Sequence, residues 1–111
     1  MSPSENLSDQ ALEFVAQRFR ALADPKRLRI LNVLFLGELT VQEIADAADL
    51  KQPTASKHLA VLRQHGIVSR QKDGPFARYR IVDPTIQDLC TIVCSSLATR
   101  FETAHRELAA D

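Results

Sequence analysis

The stretch Gln52-Pro-Thr-Ala-Ser-Lys-His-Leu-Ala-Val-Leu-Arg-Gln-His-Gly66 limits the possible folds more than any other part of this chain. Its apolar residues Ala55, Leu59 and Leu62 recur at i, i+4 and i+7, the spacing of one stripe along an α-helix. Pro53 is tolerated in a first turn, where no intrahelical donor is lost, and Gly66 can leave the helix with left-handed backbone. The helix is therefore bounded at both ends and anchored by a single face. Just upstream, Thr40-Val-Gln-Glu43 has the capping-box spacing that starts another helix, carried on by Ile44, Ala45, Ala47 and Ala48. Only Asp49-Leu-Lys51 separates the two. Two short helices joined so tightly make either a helix-turn-helix or a plain helical hairpin.

The outer surface of the second helix favours the first alternative. Opposite the apolar stripe lie Pro53, Lys57, Ala60 and Gln64, flanked by Thr54 and Ser56. Hydroxyls, an amide and an ammonium suit base edges and phosphates, so this helix reads as one that enters the major groove of DNA. After it, residues 67–72 and 77–82 are alternating or β-branched runs split by the turn signal Asp73-Gly-Pro75. A basic hairpin directly after a recognition helix is a wing, with Lys72 and Arg78 beside its tip.

Charge supports that reading only when it is resolved along the chain. The formal net charge is zero. Residues 51–80, however, hold Lys51, Lys57, Arg63, Arg70, Lys72, Arg78 and Arg80 against Asp73 alone, a segment charge of +6 offset elsewhere. A chain of 111 residues is expected to form one domain with a modest core. With no apolar leader and no long apolar run, a cytoplasmic protein without membrane contact is expected, its Cys90 and Cys94 reduced and outside any disulfide framework or paired zinc site.

Residues 1–6 are polar and are expected to be a disordered tail, leaving 7–111 as the folded domain. From a cap at Ser8, Leu12, Val15, Phe19 and Leu22 recur at helical spacing. Asp24 caps the next helix, with Pro25 in its first turn, Leu28, Leu31, Leu34 and Phe35 on its buried side and Gly37 closing it. Lys26, Arg27 and Arg29 read as a solvated face, one of which could reach a flanking phosphate. After the wing, Asp83-Pro84 starts a long helix expected to run to about Leu108, with Ile86, Leu89, Val93, Leu97, Phe101, Ala104 and Leu108 as its stripe. A stripe that long outruns a small core, so much of it is expected to pack on a second copy about a two-fold axis. Two recognition helices would then lie about 34–36 Å apart and require an inverted-repeat operator. The expected architecture is mainly α, about five helices and two strands forming a wing.

The segments Ala21-Leu-Ala-Asp-Pro-Lys-Arg-Leu-Arg-Ile-Leu31, Glu38-Leu-Thr-Val-Gln-Glu-Ile-Ala45, Gln52-Pro-Thr-Ala-Ser-Lys-His-Leu59, Leu62-Arg-Gln-His-Gly-Ile-Val68 and Arg78-Tyr-Arg-Ile81 together resemble the ArsR/SmtB family of winged helix-turn-helix repressors. The likeness runs unbroken from about Phe19 to Asp83. It implies a homodimer, with the first and last helices in its interface, that represses its own operon and releases DNA when an effector arrives. It also offers two metal sites to compare. Thr40 stands where the first thiolate of one would be. For the other, Asp83 keeps a carboxylate, but Thr85, Ser96 and Thr99 occupy the remaining ligand positions. Neither site is complete.

Cys90 and Cys94, at i and i+4, rise from one side of the last helix. They are open to three readings: plain packing, thiolate binding of a soft ion such as arsenite, mercury, cadmium or copper(I), and oxidation or persulfidation, including a link across the dimer axis. A bond within the one helix is poorly placed. His58 and His65 lie on or beside the recognition helix, where phosphate or base contact is the expectation, while His105 sits near a helix end beside Glu102 and Arg106. The expected DNA-contacting set is Lys51, Gln52, Thr54, Ser56, Lys57, His58, Arg63, Lys72, Arg78 and Tyr79. Within it Lys57 and Arg78 hold phosphates and Gln52, Thr54 and Ser56 read bases. No cofactor is called for. A protein-interaction module remains the alternative from another class, and a small thiol enzyme is disfavoured because no base lies at a spacing that would activate either cysteine.

Overall fold

Local capping chemistry sets where most of the helices begin. In the computed structural model, which describes residues 7–102, Ser8 Oγ accepts from Ala11 N at 3.1 Å to start α1 (Asp9–Leu22). Asp24 Oδ1 accepts from Lys26 N and Arg27 N at 2.8 and 3.2 Å to start α2 (Pro25–Leu34). The capping box is complete. Glu43 N donates to Thr40 Oγ1 at 3.2 Å, and Thr40 N donates to Glu43 Oε1 at 2.9 Å, opening α3 (Val41–Ala48). Asp49 then takes left-handed backbone at φ 55°, and Leu50 N closes on Ala45 O at 2.9 Å, turning the chain into α4 (Gln52–Gln64).

The hairpin consists of β2 (Val68–Asp73) and β3 (Phe76–Ile81), reversed at Gly74 with φ 61°. The sheet is larger than the expected two strands. Leu39 and Thr40, labelled β1, pair antiparallel with Tyr79 and Arg78 of β3, giving the order β1-β3-β2. A two-residue strand carries no periodicity of its own, and only its distant partner defines it. The last helix, α5 (Thr85–Arg100), starts where Asp83 Oδ1 accepts from Thr85 N and Thr85 Oγ1 at 2.9 and 2.6 Å. It ends at Arg100, with Phe101 at φ −126° and ψ 70°, so the helix expected to run unbroken to about Leu108 is interrupted there; Ala104, His105, Arg106 and Leu108 lie outside the described residues, as does the 1–6 tail.

Ile30, Leu31, Ile44, Leu59, Leu62, Ile67 and Ile86 fill the core. On α2 Leu31 and Leu34 are buried and Phe35 packs against the core as expected, whereas Leu28 is 42% exposed and Ile30 takes a core position in its stead. Ile30 is drawn in because α2 meets both the helix-turn-helix pair and the sheet. The stripe of α1 is largely uncovered, with only Ala21 and Leu22 buried, and α5 buries Ile86 alone. Leu12 and Phe19 on α1, Val93 and Leu97 on α5, and Phe101 just after it therefore stay exposed.

Candidate nucleic-acid interface

Burial of Ala55, Leu59 and Leu62 fixes which way α4 faces. With that stripe at 0% exposure, Gln52, Ser56, Lys57 and Arg63 stand in solvent and Thr54 is half-buried at the rim. Lys51 occupies the N-cap position without a side-chain capping bond, so its ammonium is also exposed beside the first turn. Six of the expected contact residues thus cluster at one helix.

Lys72 extends this surface at the wing, exposed and paired with Ala77 one step from the tip. Arg78 is positioned differently. Its Nε donates to Asp73 Oδ2 at 2.9 Å, a bond that together with the nearby carboxylates of Glu43 and Glu38 raises its pKa above the ordinary arginine value. The guanidinium is held by the wing before any DNA arrives. Tyr79 is half-buried and packs against the core with Ile81, paired across the hairpin with the exposed Arg70.

His58 also turns away from the expected surface. It is half-buried, and its Nδ1 lies 3.3 Å from Arg27 Nη1 at the start of α2. Burial lowers its pKa, against a smaller opposing pull from Asp24, and the cations Arg27, Lys26 and Lys57 lower it further. Of the solvated face expected for α2, Lys26 and Arg29 are exposed and Arg27 is half-buried, and both arginines reach neighbouring helices. Arg27 Nε and Nη2 donate to Ala21 O and Arg20 O at 2.6 and 3.2 Å, and Arg29 Nη1 donates to Ala48 O at 2.9 Å. Ala21 O and Ala48 O lie in last turns, where carbonyls lack partners within their own helix, and the two arginines supply them, while Arg20 O also accepts from Ala23 N at 3.2 Å.

The thiols lie on another side of the molecule. Cys90 and Cys94 share an open apolar groove of about 440 Å³ with Phe19, Leu22, Leu28 and Val93. Both are free, Cys90 half-buried and Cys94 exposed, and burial raises the Cys90 pKa. Among the described residues no group of three or more His, Cys, Asp or Glu side chains comes together as a metal site. Asp83 is committed to Thr85 and lies 3.2 Å from Arg18 Nη1, which approaches it outside hydrogen-bond alignment.

Residues 24–70, which span α2, the helix-turn-helix and the start of the wing, match the family described as "Bacterial regulatory protein, arsR family". An uncharacterized helix-turn-helix-type transcriptional regulator of Methanocaldococcus jannaschii is 39% identical over 82 residues, 73% of this chain and 92% of that protein. The chain belongs to the ArsR family. A probable mercury resistance operon repressor of Streptomyces lividans is 45% identical to this ArsR-family chain over 74 residues, covering 67% of it and 59% of the relative's length. Among solved structures, the homodimeric winged helix-turn-helix DNA-binding domain of a possible ArsR-family regulator from Mycobacterium bovis superposes with TM-score 0.77 at 32% identity, covering 95% of this chain and 97% of that one. The shared architecture is the winged helix-turn-helix. Among the described residues no helix is long and apolar enough to cross a membrane.

Proposed function

We propose that this ArsR-family protein is a homodimeric transcriptional repressor that binds an inverted-repeat operator through α4 and the wing, and is released by chemistry at Cys90 and Cys94. The observation carrying the DNA-binding part is the polar outer face of α4, with Gln52, Ser56, Lys57 and Arg63 exposed over a fully buried anchoring stripe, beside the cationic wing. Phosphates would be held by Lys57, Lys51, Arg63, Lys72 and Arg78, and bases read by Gln52, Thr54 and Ser56. Dimerisation is supported by the apolar surface that α1 and α5 leave uncovered and by the homodimeric Mycobacterium bovis domain of the same fold.

The effector reading rests on two thiols sharing one groove between the helices that would form the interface. Burial raises the Cys90 pKa and covers part of its thiol, so the exposed Cys94 is the sulfur an electrophile meets first. The Cys94 thiolate would attack a sulfane sulfur of a polysulfide, forming a persulfide as the S–S bond breaks and a polysulfide one sulfur shorter leaves. Alternatively, peroxide would take two electrons and two protons from a pair of thiols, forming a disulfide and water. Either product alters the packing of α5, and hence the spacing of the two recognition helices. A second reading, a soft ion held by the two thiolates, is favoured by the Streptomyces lividans relative named as a mercury resistance repressor.

The test is selection of DNA duplexes from a random pool by the reduced protein. Fluorescence anisotropy on the selected duplex follows, before and after polysulfide, peroxide or Hg(II). A selected inverted repeat, bound more weakly after treatment of the wild type but not of Cys90→Ser or Cys94→Ser, is expected, and the active reagent separates redox from metal sensing. Unchanged affinity under every reagent overturns the effector assignment. DNA binding without sequence preference and with little salt dependence overturns the repressor reading in favour of a protein-interaction module.

A further inference from the structure

The Arg27 guanidinium joins three parts of the chain that are separate in sequence. Two of its N–H groups meet the carbonyls of Arg20 and Ala21 in the last turn of α1, at 3.2 and 2.6 Å, and a third lies 3.3 Å from His58 Nδ1 on α4. The backbone N–H of Arg27 is itself fixed, donating to the Asp24 carboxylate that caps α2. His58 follows Ser56 and Lys57 directly, so its contact lies one residue from the exposed face of the recognition helix. Nδ1 accepts a hydrogen bond from Arg27 only as the neutral ring protonated at Nε2.

We infer that Arg27 is a positioning residue for DNA recognition, holding the recognition helix α4 at a fixed angle to α1 by bridging the C-terminal carbonyls of α1 to His58. This rests on the DNA-binding reading above. It adds a mechanical route by which the helix whose apolar stripe is left for a second copy orients the helix that would read bases. The bridge requires a fork. A guanidinium presents several N–H groups in fixed directions, whereas an ammonium on the same stem is a single point of charge that cannot span both carbonyls and the imidazole. Arg27 is thereby engaged within the protein, which distinguishes it from an arginine free to neutralise a phosphate.

The test compares wild type with Arg27→Gln, Arg27→Lys, His58→Leu and the Arg27→Gln/His58→Leu double variant. Anisotropy is measured on the duplex selected by the wild type across a salt series, at a temperature where circular dichroism shows every protein folded. Arg27→Gln and Arg27→Lys are expected to weaken binding about tenfold, the order of one lost charge-assisted hydrogen bond. The slope of log affinity against log salt should stay that of the wild type, and the double variant should be no weaker than the worse single one. A slope shallower by about 0.9 would mean that Arg27 touches a phosphate directly. That outcome, full additivity of the two changes, or wild-type affinity in Arg27→Lys each overturns the inference. If Arg27→Gln does not fold, Arg27→Lys and His58→Leu decide it, since the latter leaves the α1 carbonyl bonds in place. Failure of the wild type to select any sequence would instead overturn the proposed function, so the two failures are distinguishable.

Discussion

Leu97 on α5 offers a direct measure of whether the uncovered stripe is an interface. It keeps 45% of its surface exposed although it continues an apolar row with Val93, which is 50% exposed, and Phe101, also 50%. Complete burial of a leucine side chain is worth about 1.5–3 kcal/mol, so covering the exposed part of Leu97 contributes roughly 1 kcal/mol per copy. A two-fold dimer uses the position twice, and Leu97→Ala should remove roughly 2 kcal/mol, raising the dimer dissociation constant about 30-fold. Sedimentation velocity over a dilution series reads that constant directly. Leu36→Ala is the control, because Leu36 is 93% exposed but sits in the turn after α2 beside Val82 and Pro84, at the opposite end of α5 from Leu97. A dissociation constant for Leu97→Ala within threefold of wild type, or an equal shift in Leu36→Ala, would refute the assignment of this face to the dimer.

Two further outcomes are expected. Lys57→Glu should weaken binding to all DNA sequences, since the exposed ammonium would serve phosphates, while Gln52→Ala should leave bulk affinity closer to wild type and relax preference at a few positions. Competition assays against specific and random duplexes separate the two behaviours. At Asp83 the Thr85 hydroxyl and N–H, with Arg18 nearby, hold the carboxyl below its ordinary pKa of 3.8. A depressed carboxylate contributes stability that is fully present above the unfolded pKa and is lost as pH falls through the folded one. Asp83→Asn should therefore reduce stability at pH 7 and flatten its decline below about pH 4, as read from urea midpoints across that range.

The sequence by itself determined the helix starts, the reversals and the axis of the recognition helix. Thr40 and Glu43, Asp24 with Pro25, and Ser8 act within three residues of themselves, so their spacing alone announces the cap that forms. The face of α4 was equally legible, because a three-residue apolar stripe leaves only one outward side. The tertiary structure decided what long side chains do once elements meet. Arg27, Arg29, His58 and Tyr79 look like surface chemistry in one dimension, yet the first two donate to carbonyls at the ends of other helices, the third meets Arg27, and the fourth packs against the core. The pairing of Leu39 with Tyr79 was likewise invisible, since a two-residue strand exists only through a partner 40 positions away. Caps and stripes are set by neighbours along the chain, whereas the partner of a guanidinium, an imidazole or a strand edge is chosen by whichever unsatisfied group the fold brings within reach.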